Sequence, residues 1–111
     1  MIIYVAGRYR ARTYFGVLLN IYRAWRAARE IWKRGFVALC PHTNTFWMSE
    51  WPLALPANVF LDGDIELLAG CDGILMLPGW EKSKGAVKEH WYAIEHHKVI
   101  YYDLSELPRS T

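Results

Sequence analysis

The segment GILMLPGWEKSKGAVKEH, residues 73–90, passes from a strand through a loop into a helix. Its first five residues are apolar without alternating polar positions, which predicts a strand buried on both faces of a sheet. The Pro-Gly pair that follows ends the strand, and Gly85 begins a helix that we expect to extend to about residue 97. A buried strand followed at once by a helix is the repeating unit of parallel α/β folds.

Three other apolar runs resemble GILML, and helical segments separate them. These runs are IIYVA (2–6), FVALC (36–40) and VIYY (99–102). Apolar positions at helical spacing predict two more helices, at 20–34 and 58–69. With right-handed crossovers, this succession predicts a three-layer α/β sandwich around a parallel sheet of four to five strands, similar to flavodoxin or Rossmann-type folds.

The helix predicted at 20–34 has one apolar stripe and one basic face. We expect the stripe to cover the sheet, and it consists of Ile21, Ala24, Trp25, Ala28, Ile31 and Trp32. The opposite face carries Arg23, Arg26, Lys33 and Arg34. Such a face is typical of a solvated surface, so nucleic-acid binding ranks behind the other functions considered below.

Composition limits the class of protein. The chain of 111 residues is 53% hydrophobic, which suits one domain over residues 1–111. Cys40 and Cys71 lack metal-ligand spacing, so we expect two buried thiols, with neither zinc nor a disulfide. Dinucleotide and Walker motifs are absent, and no cofactor is expected. No apolar run approaches the ~20 residues that span a bilayer, so we expect a cytoplasmic protein without a membrane partner.

The unusual loops all follow predicted strands. GRYR comes after the first strand, PHTN after the second and PGWEKSKG after the third. Because ligands bind at the carboxyl ends of the strands in open α/β sheets, these loops are expected to form one binding site.

Two carboxylates within the predicted helices are candidates for chemistry. Glu89 lies in the first turn of its helix, at the border of the face toward the sheet; it either stabilises the helix or acts as a nucleophile. Asp64 shares the inward face of its helix with Leu61, Ile65 and Leu68. A charge in that position either pairs with an N-terminal arginine or faces a wet cleft where it could take part in catalysis.

The same loops contain groups that suit an anion. Arg8, Arg10 and Arg12 follow the first strand, where guanidinium groups could hold a phosphate. Ser83 and Gly85 precede a helix N-terminus, where a serine either caps the helix or contributes to an anion site. His42 follows the second strand and is expected to form polar lining of the cleft, whereas metal binding is not expected.

The ordered motifs YVAGRYR, PHTN, GDIELLAGCDGILMLPGW and SKGAVKE resemble the nucleoside 2-deoxyribosyltransferase-like superfamily. They particularly resemble a small phage and bacterial branch without assigned function, whose pattern is YxAGPYR, PH, GD, CD and LPGWxxSxGAxxE. The similarity extends from residue 4 to residue 102. Because the motifs occur in the same order over nearly the whole chain, a chance match is improbable.

The resemblance implies cleavage of an N-glycosidic bond. Glu89 would attack the anomeric carbon, Tyr4 would orient that carboxylate, and Asp64 would protonate or hold the departing base. Substrate contacts are implied at Gly7, Arg8, Arg10, His42, Trp80, Ser83 and Gly85. Of these, Arg10, Ser83 and Gly85 match positions that contact a 5′-phosphate in the nucleotide-hydrolase branch.

Departures from the family pattern decide between reactions. Arg8 replaces the usual proline of AGPYR and adds a cation, and Ser83 stands where the transferase branch carries a second acid. We therefore expect an N-glycosidase for a (deoxy)nucleoside 5′-monophosphate, a small-molecule substrate. The alternatives are a nucleoside 2-deoxyribosyltransferase and a nucleotide-binding module without catalysis.

A homo-oligomer is expected from the aromatic residues of one loop. Phe46, Trp47 and Trp51 lie close together, beside the apolar segment WPLALP. A chain this small cannot cover so much apolar surface easily, so we expect a subunit interface there. Stacking on a nucleobase is the alternative use of such side chains.

Overall fold

The computed structural model describes residues 1–44 and 55–108, and within them four parallel strands form one sheet. The strands are β1 (Ile2–Ala6), β2 (Val37–Leu39), β3 (Gly73–Met76) and β4 (Val99–Tyr101), in the order β2-β1-β3-β4. The register pairs Tyr4 of β1 with Leu39 of β2 and with Ile74 of β3. The predicted parallel sheet is therefore confirmed, with the two longest strands at its centre.

Helices follow the strands on both faces of the sheet. They are α1 (Tyr14–Lys33), α2 (Pro41–Asn44), α3 (Ala57–Ala69) and α4 (Lys84–Glu95), with short 3₁₀ helices at Trp80–Lys82 and Leu104–Glu106. The helices predicted at 58–69 and from Gly85 onward are present within one or two residues of their expected bounds. None of the described helices is long and apolar enough to cross a membrane.

The side chains of β1 alternate between two separate cores. Ile3 and Val5 pack with the small residues of α1, whereas Tyr4 and Ala6 pack with α3 and α4 on the other face. Both cores are closed by buried residues of β3, which contributes Leu75 to the first and Ile74 and Met76 to the second. The result is the expected three-layer sandwich, in which Tyr4 lies on the face covered by α4.

Helix α1 differs from the prediction in length and in orientation. It begins at Tyr14, where the Thr13 side chain accepts a hydrogen bond from the Gly16 amide at 3.0 Å. Trp25 and Trp32, which were expected to face the sheet, are 48% and 56% exposed. The buried stripe is instead made of small residues and one isoleucine: Ala24, Ala27, Ala28 and Ile31. Small residues let the helix approach the sheet closely, and the neighbouring indoles then lie about 100° around the helix, outside the contact.

Residues 46, 47 and 51, on which the expected subunit interface rests, lie outside the described residues. The two cysteine thiols are buried and unpaired.

Candidate active site

A cavity of about 690 Å³ opens at the carboxyl edge of the sheet. Its described walls come from the loop after β1, the start of α2, one side of α3 and the first turns of α4. All three loops identified from the sequence contribute to it. The site is therefore positioned by the parallel order of the strands, because that order brings their carboxyl ends together.

Glu89 lies on the wall of this cavity and is hydrogen bonded to Tyr4. The carboxylate is 7% exposed, and its Oε2 accepts a hydrogen bond from the hydroxyl of Tyr4, which is fully buried. Burial raises the pKa of Glu89 to about 7; the Tyr4 hydrogen bond opposes this shift, and the negative charge of Asp64 adds to it. Burial, followed by the charge of Glu89, raises the pKa of Tyr4. The phenol therefore keeps its proton and acts as the donor.

Asp64 projects from α3 and also lines the cavity. Burial raises the pKa of its carboxyl to about 6. Among the described residues, the ion pairs join Arg29 and Lys33 to Glu30, and Asp64 takes part in none. Of the two interpretations of this residue, the structure therefore supports the one in which it faces a wet cleft.

Glu89 and Asp64 act on each other through their charges, so they titrate as a pair. With pKa values of about 7 for Glu89 and about 6 for Asp64, the single proton that the pair holds between those values lies mainly on Glu89. A nucleophile at Glu89 and a general acid at Asp64 need the other distribution, in which Glu89 is ionised and Asp64 protonated. That distribution is the minor tautomer of this pair.

Cations surround the opening of the cavity. The lining includes Arg8, Arg10, Arg12, Lys82 and Lys84, all of which have exposed side chains. None of them forms an ion pair within the part of the chain that the structure describes. The arginines were expected at this position, whereas Lys82 and Lys84 were not singled out. Their signal was present in the sequence, since they flank Ser83 in the segment EKSKG.

Ser83 and Gly85 occupy the first turn of α4. The Ser83 hydroxyl accepts a hydrogen bond from the Ala86 amide at 3.2 Å, so this residue caps the helix, and it also lines the cavity. A side chain at Gly85 would meet only Leu61 at 3.7 Å and Ser83 at 3.9 Å, which are ordinary contacts. Packing among the described residues therefore does not require glycine at position 85.

Gly7 and His42 shape the opposite wall. A Cβ atom at Gly7 would lie 3.0 Å from side-chain atoms of Leu77, which is tighter than an ordinary contact, so a side chain there would displace that leucine. Burial lowers the pKa of His42, which favours the neutral ring, and its Nε2 lies 3.1 Å from the Arg8 carbonyl oxygen. The edge of the His42 ring also contacts the Tyr9 ring, at a centroid distance of 5.5 Å. These contacts hold the arginine-bearing loop over the cavity.

Trp80 is not among the described residues that line the cavity, although it was expected to contact the substrate. Gly79 has a φ of +88° and turns the chain just before the 3₁₀ helix that Trp80 begins. The indole packs on the His90 ring at a centroid distance of 4.3 Å and lies 6.4 Å from the Tyr102 ring. This aromatic packing places Trp80 beside α4 instead of in the cleft.

A comparison with solved structures supports the fold. The structure is similar to that of a 2-desoxiribosyltransferase from Leishmania mexicana, with a TM-score of 0.62 and 21% sequence identity. The similarity covers 89% of this chain and 61% of the other, so this chain spans less than two thirds of that protein. At this level of identity the likeness shows that the two proteins share an α/β fold.

The family is established by the sequence itself. Residues 1–102 match the family described as Domain of unknown function (DUF4406), and the chain belongs to that family. No curated protein matches it. The match extends over the strands, over α4 and over all the residues assigned to the cavity.

Proposed function

We propose that the protein is an N-glycosidase that cleaves the base–sugar bond of a (deoxy)nucleoside 5′-monophosphate through a covalent bond to Glu89. The observation that carries this proposal is the buried pair of Tyr4 and Glu89 facing a cavity that Asp64 shares. A simple binding pocket has no need of a buried carboxylate held by a phenol beside a second carboxyl of raised pKa. A cytoplasmic location and a homo-oligomeric state belong to the same proposal.

In the first step, Glu89 attacks the anomeric carbon of the sugar. Tyr4 occupies Oε2, so we assign Oε1 as the attacking oxygen. The bond from the anomeric carbon to the base nitrogen breaks, its electron pair remains on the base, and Asp64 supplies the proton that neutralises it. The products of this step are the free base and a glycosyl ester of Glu89.

In the second step, water attacks the anomeric carbon and the ester bond to Glu89 breaks. The Asp64 carboxylate, which lost its proton in the first step, accepts the proton of that water. Both carboxyls thereby return to their starting states. The sugar phosphate leaves with retained configuration, because two displacements have occurred at the same carbon.

The 5′-phosphate is assigned to the cationic side of the cavity. Arg8 and Arg10 approach it from the loop after β1, and Ser83 and Gly85 from the first turn of α4. Charged donors and the amide groups of a helix N-terminus both bind phosphate well. Packing leaves room at Gly85, which supports a close approach of the ligand to the backbone there.

Base transfer is the second candidate, because the similar solved structure is described as a transferase. Hydrolysis and transfer share the first step and differ in the acceptor. Release of base in water, without a second base present, separates the two reactions. A nucleotide-binding module without catalysis is the third candidate, and it predicts binding without release of base.

The decisive experiment is to incubate the protein with a panel of nucleosides and 5′-monophosphates and to measure free base by chromatography. Glu89→Gln keeps the shape of the side chain and can still accept the Tyr4 hydrogen bond, but it has no nucleophilic carboxylate. We expect its turnover to fall at least a thousandfold while ligand binding persists. Glu95→Gln, on the exposed end of α4, is the matched control. Glu89→Gln activity within tenfold of wild type would remove Glu89 from the mechanism.

A further inference from the structure

Helix α1 exposes five large aromatic side chains. Tyr14 is 49% exposed, Phe15 74%, Tyr22 52%, Trp25 48% and Trp32 56%. The rings of Tyr22 and Trp25 stack on each other, with centroids 6.1 Å apart and planes inclined by 21°. An isolated exposed aromatic residue is common, but five on one helix leave a large apolar area in contact with water.

The spacing of these residues is that of a helix that packs lengthwise on another helix. The positions are Phe15, Leu18, Tyr22, Trp25, Arg29 and Trp32, and we call them the α1 seam. Successive positions are separated alternately by three and four residues, so they follow one side of the helix for about five turns. Stacking on nucleic-acid bases requires exposed rings but not this alternation. The spacing therefore favours a helix as the occupant of the surface.

We propose that the α1 seam packs against the α1 seam of a second copy of this chain, with the two helices antiparallel. Around the two-fold axis, Phe15 then lies opposite the partner's Trp32, and Tyr22 opposite the partner's Trp25. Leu18 lies opposite the partner's Arg29. A two-fold interface uses the same surface of both subunits, so each of these contacts occurs twice.

Charge selects the antiparallel orientation. In a parallel pair, Arg29 would face the partner's Arg29 in the centre of the contact, where like charges are costly. In the antiparallel pair, the aliphatic part of Arg29 covers Leu18 and its guanidinium group can reach the rim. Glu30 already lies 3.8 Å from Arg29 and 3.6 Å from Lys33, so it partly neutralises this end of the helix.

The exposed area is sufficient for the centre of a dimer interface. A large aromatic side chain buries ~150 to 250 Å² when covered completely. With the exposed fractions given above, the four aromatic residues of the α1 seam offer about 350 to 575 Å² per subunit. That is roughly half or more of the ~800 Å² per partner in a standard interface, and the polar rim supplies the remainder in typical complexes. This surface consists of other residues than those on which the sequence-based expectation of an oligomer rests.

Sedimentation velocity over protein concentrations of roughly 0.1 to 100 μM tests this proposal, because a dimer dissociates when it is diluted below its dissociation constant. We expect a dimer whose dissociation constant rises on the order of a hundredfold or more in Tyr22→Glu and in Trp25→Glu, because each change affects both halves of the interface. Trp91→Glu is the matched control, since Trp91 is 56% exposed on α4. A wild-type monomer, or a dimer that Tyr22→Glu and Trp25→Glu leave intact, would overturn the proposal.

Cysteine cross-linking tests the orientation independently of stability. Phe15→Cys and Trp32→Cys lie at opposite ends of the α1 seam, about 25 Å apart along one helix. Disulfide formation requires Cα atoms within about 7 Å. We therefore expect a disulfide dimer only when the two single variants are mixed, and none in either variant alone.

A disulfide in each variant alone would indicate parallel packing and refute the antiparallel arrangement.

A nucleic acid as the occupant of the α1 seam would give a different result. If a wild-type monomer binds a single-stranded oligonucleotide in a salt-dependent manner and Trp25→Glu abolishes that binding, the surface serves nucleic acid and the dimer proposal fails. Activity is not part of either measurement, so failure here leaves the proposed glycosidase reaction untouched.

Discussion

Burial of Glu89 should make the protein less stable as the pH rises, and Glu89→Gln should remove this effect. Well below pH 4.5, the carboxyl is protonated in both the folded and the unfolded chain. As the pH rises further, the unfolded chain releases the proton first, because the pKa of Glu89 is 4.5 in its ordinary state and about 7 in the folded protein. The free energy of unfolding therefore falls between these two pH values and levels off above them.

The change in the free energy of unfolding follows from the shift in the pKa of Glu89. A difference of about 2.5 pKa units corresponds to about 3 to 4 kcal/mol, at ~1.4 kcal/mol per unit. Glu89→Gln carries no charge at any pH and keeps an acceptor for the Tyr4 hydroxyl. We expect the variant and the wild type to have similar stability near pH 4.5 and the variant to be more stable above pH 7 by up to that amount.

Urea unfolding at several pH values from about 4.5 to 8.5, at one fixed protein concentration, measures the difference in the free energy of unfolding between the two proteins. Asp64, whose pKa burial also raises, interacts with the charge of Glu89, so the comparison is repeated in an Asp64→Asn background. Glu95→Gln, exposed on the same helix, should follow the wild type throughout. If Glu89→Gln shows the same pH dependence as the wild type, Glu89 is not buried as an unfavourable charge, and the reasoning about its pKa fails.

Two further predictions concern the proposed reaction. Tyr4→Phe removes the hydrogen bond that lowers the pKa of Glu89. A hydrogen bond to a charged group is worth ~1.5 to 3 kcal/mol, so the acidic limb of the plot of kcat/KM against pH should move up by about 1 to 2 pH units. An unchanged limb would show that the phenol does not control this carboxylate. Arg10→Ala should reduce the preference for 5′-monophosphates over nucleosides by roughly tenfold or more, in a competition assay with Arg23→Ala as control. A wild type that handles both substrates equally would assign the arginine to another role.

Much of the fold was determined by the sequence alone. Continuous apolar runs such as IIYVA and GILML identify the strands, because a strand covered by helices on both faces needs apolar side chains on both sides. The end of α3 and the start of α4 follow from local glycine and capping residues that act within a few positions. The order of the motifs along the chain also suggested the resemblance to the deoxyribosyltransferase-like superfamily and singled out Tyr4, Asp64 and Glu89 as candidate site residues.

Long-range packing decided what the local patterns left open. Helical spacing could not distinguish whether Trp25 and Trp32 face the sheet or solvent, because the answer depends on how closely the alanines of α1 approach it. The sequence could not show whether the indole of Trp80 lines the cavity or packs elsewhere; in the structure it packs on the His90 ring. A local pattern fixes which residues share a side of an element, whereas the surroundings of that side depend on the neighbouring elements.

The electrostatics of the site likewise belong to the tertiary structure. Tyr4 and Glu89 are 85 positions apart, and only the parallel sheet and α4 bring the phenol to the carboxylate. The raised pKa values of Glu89 and Asp64 arise from burial. Lys82 and Lys84 line the same cavity as the arginines of the loop after β1, and only the folded chain brings these cations together. Because desolvation and charge interactions depend on distance in space, the sequence could nominate these groups but could not set their protonation.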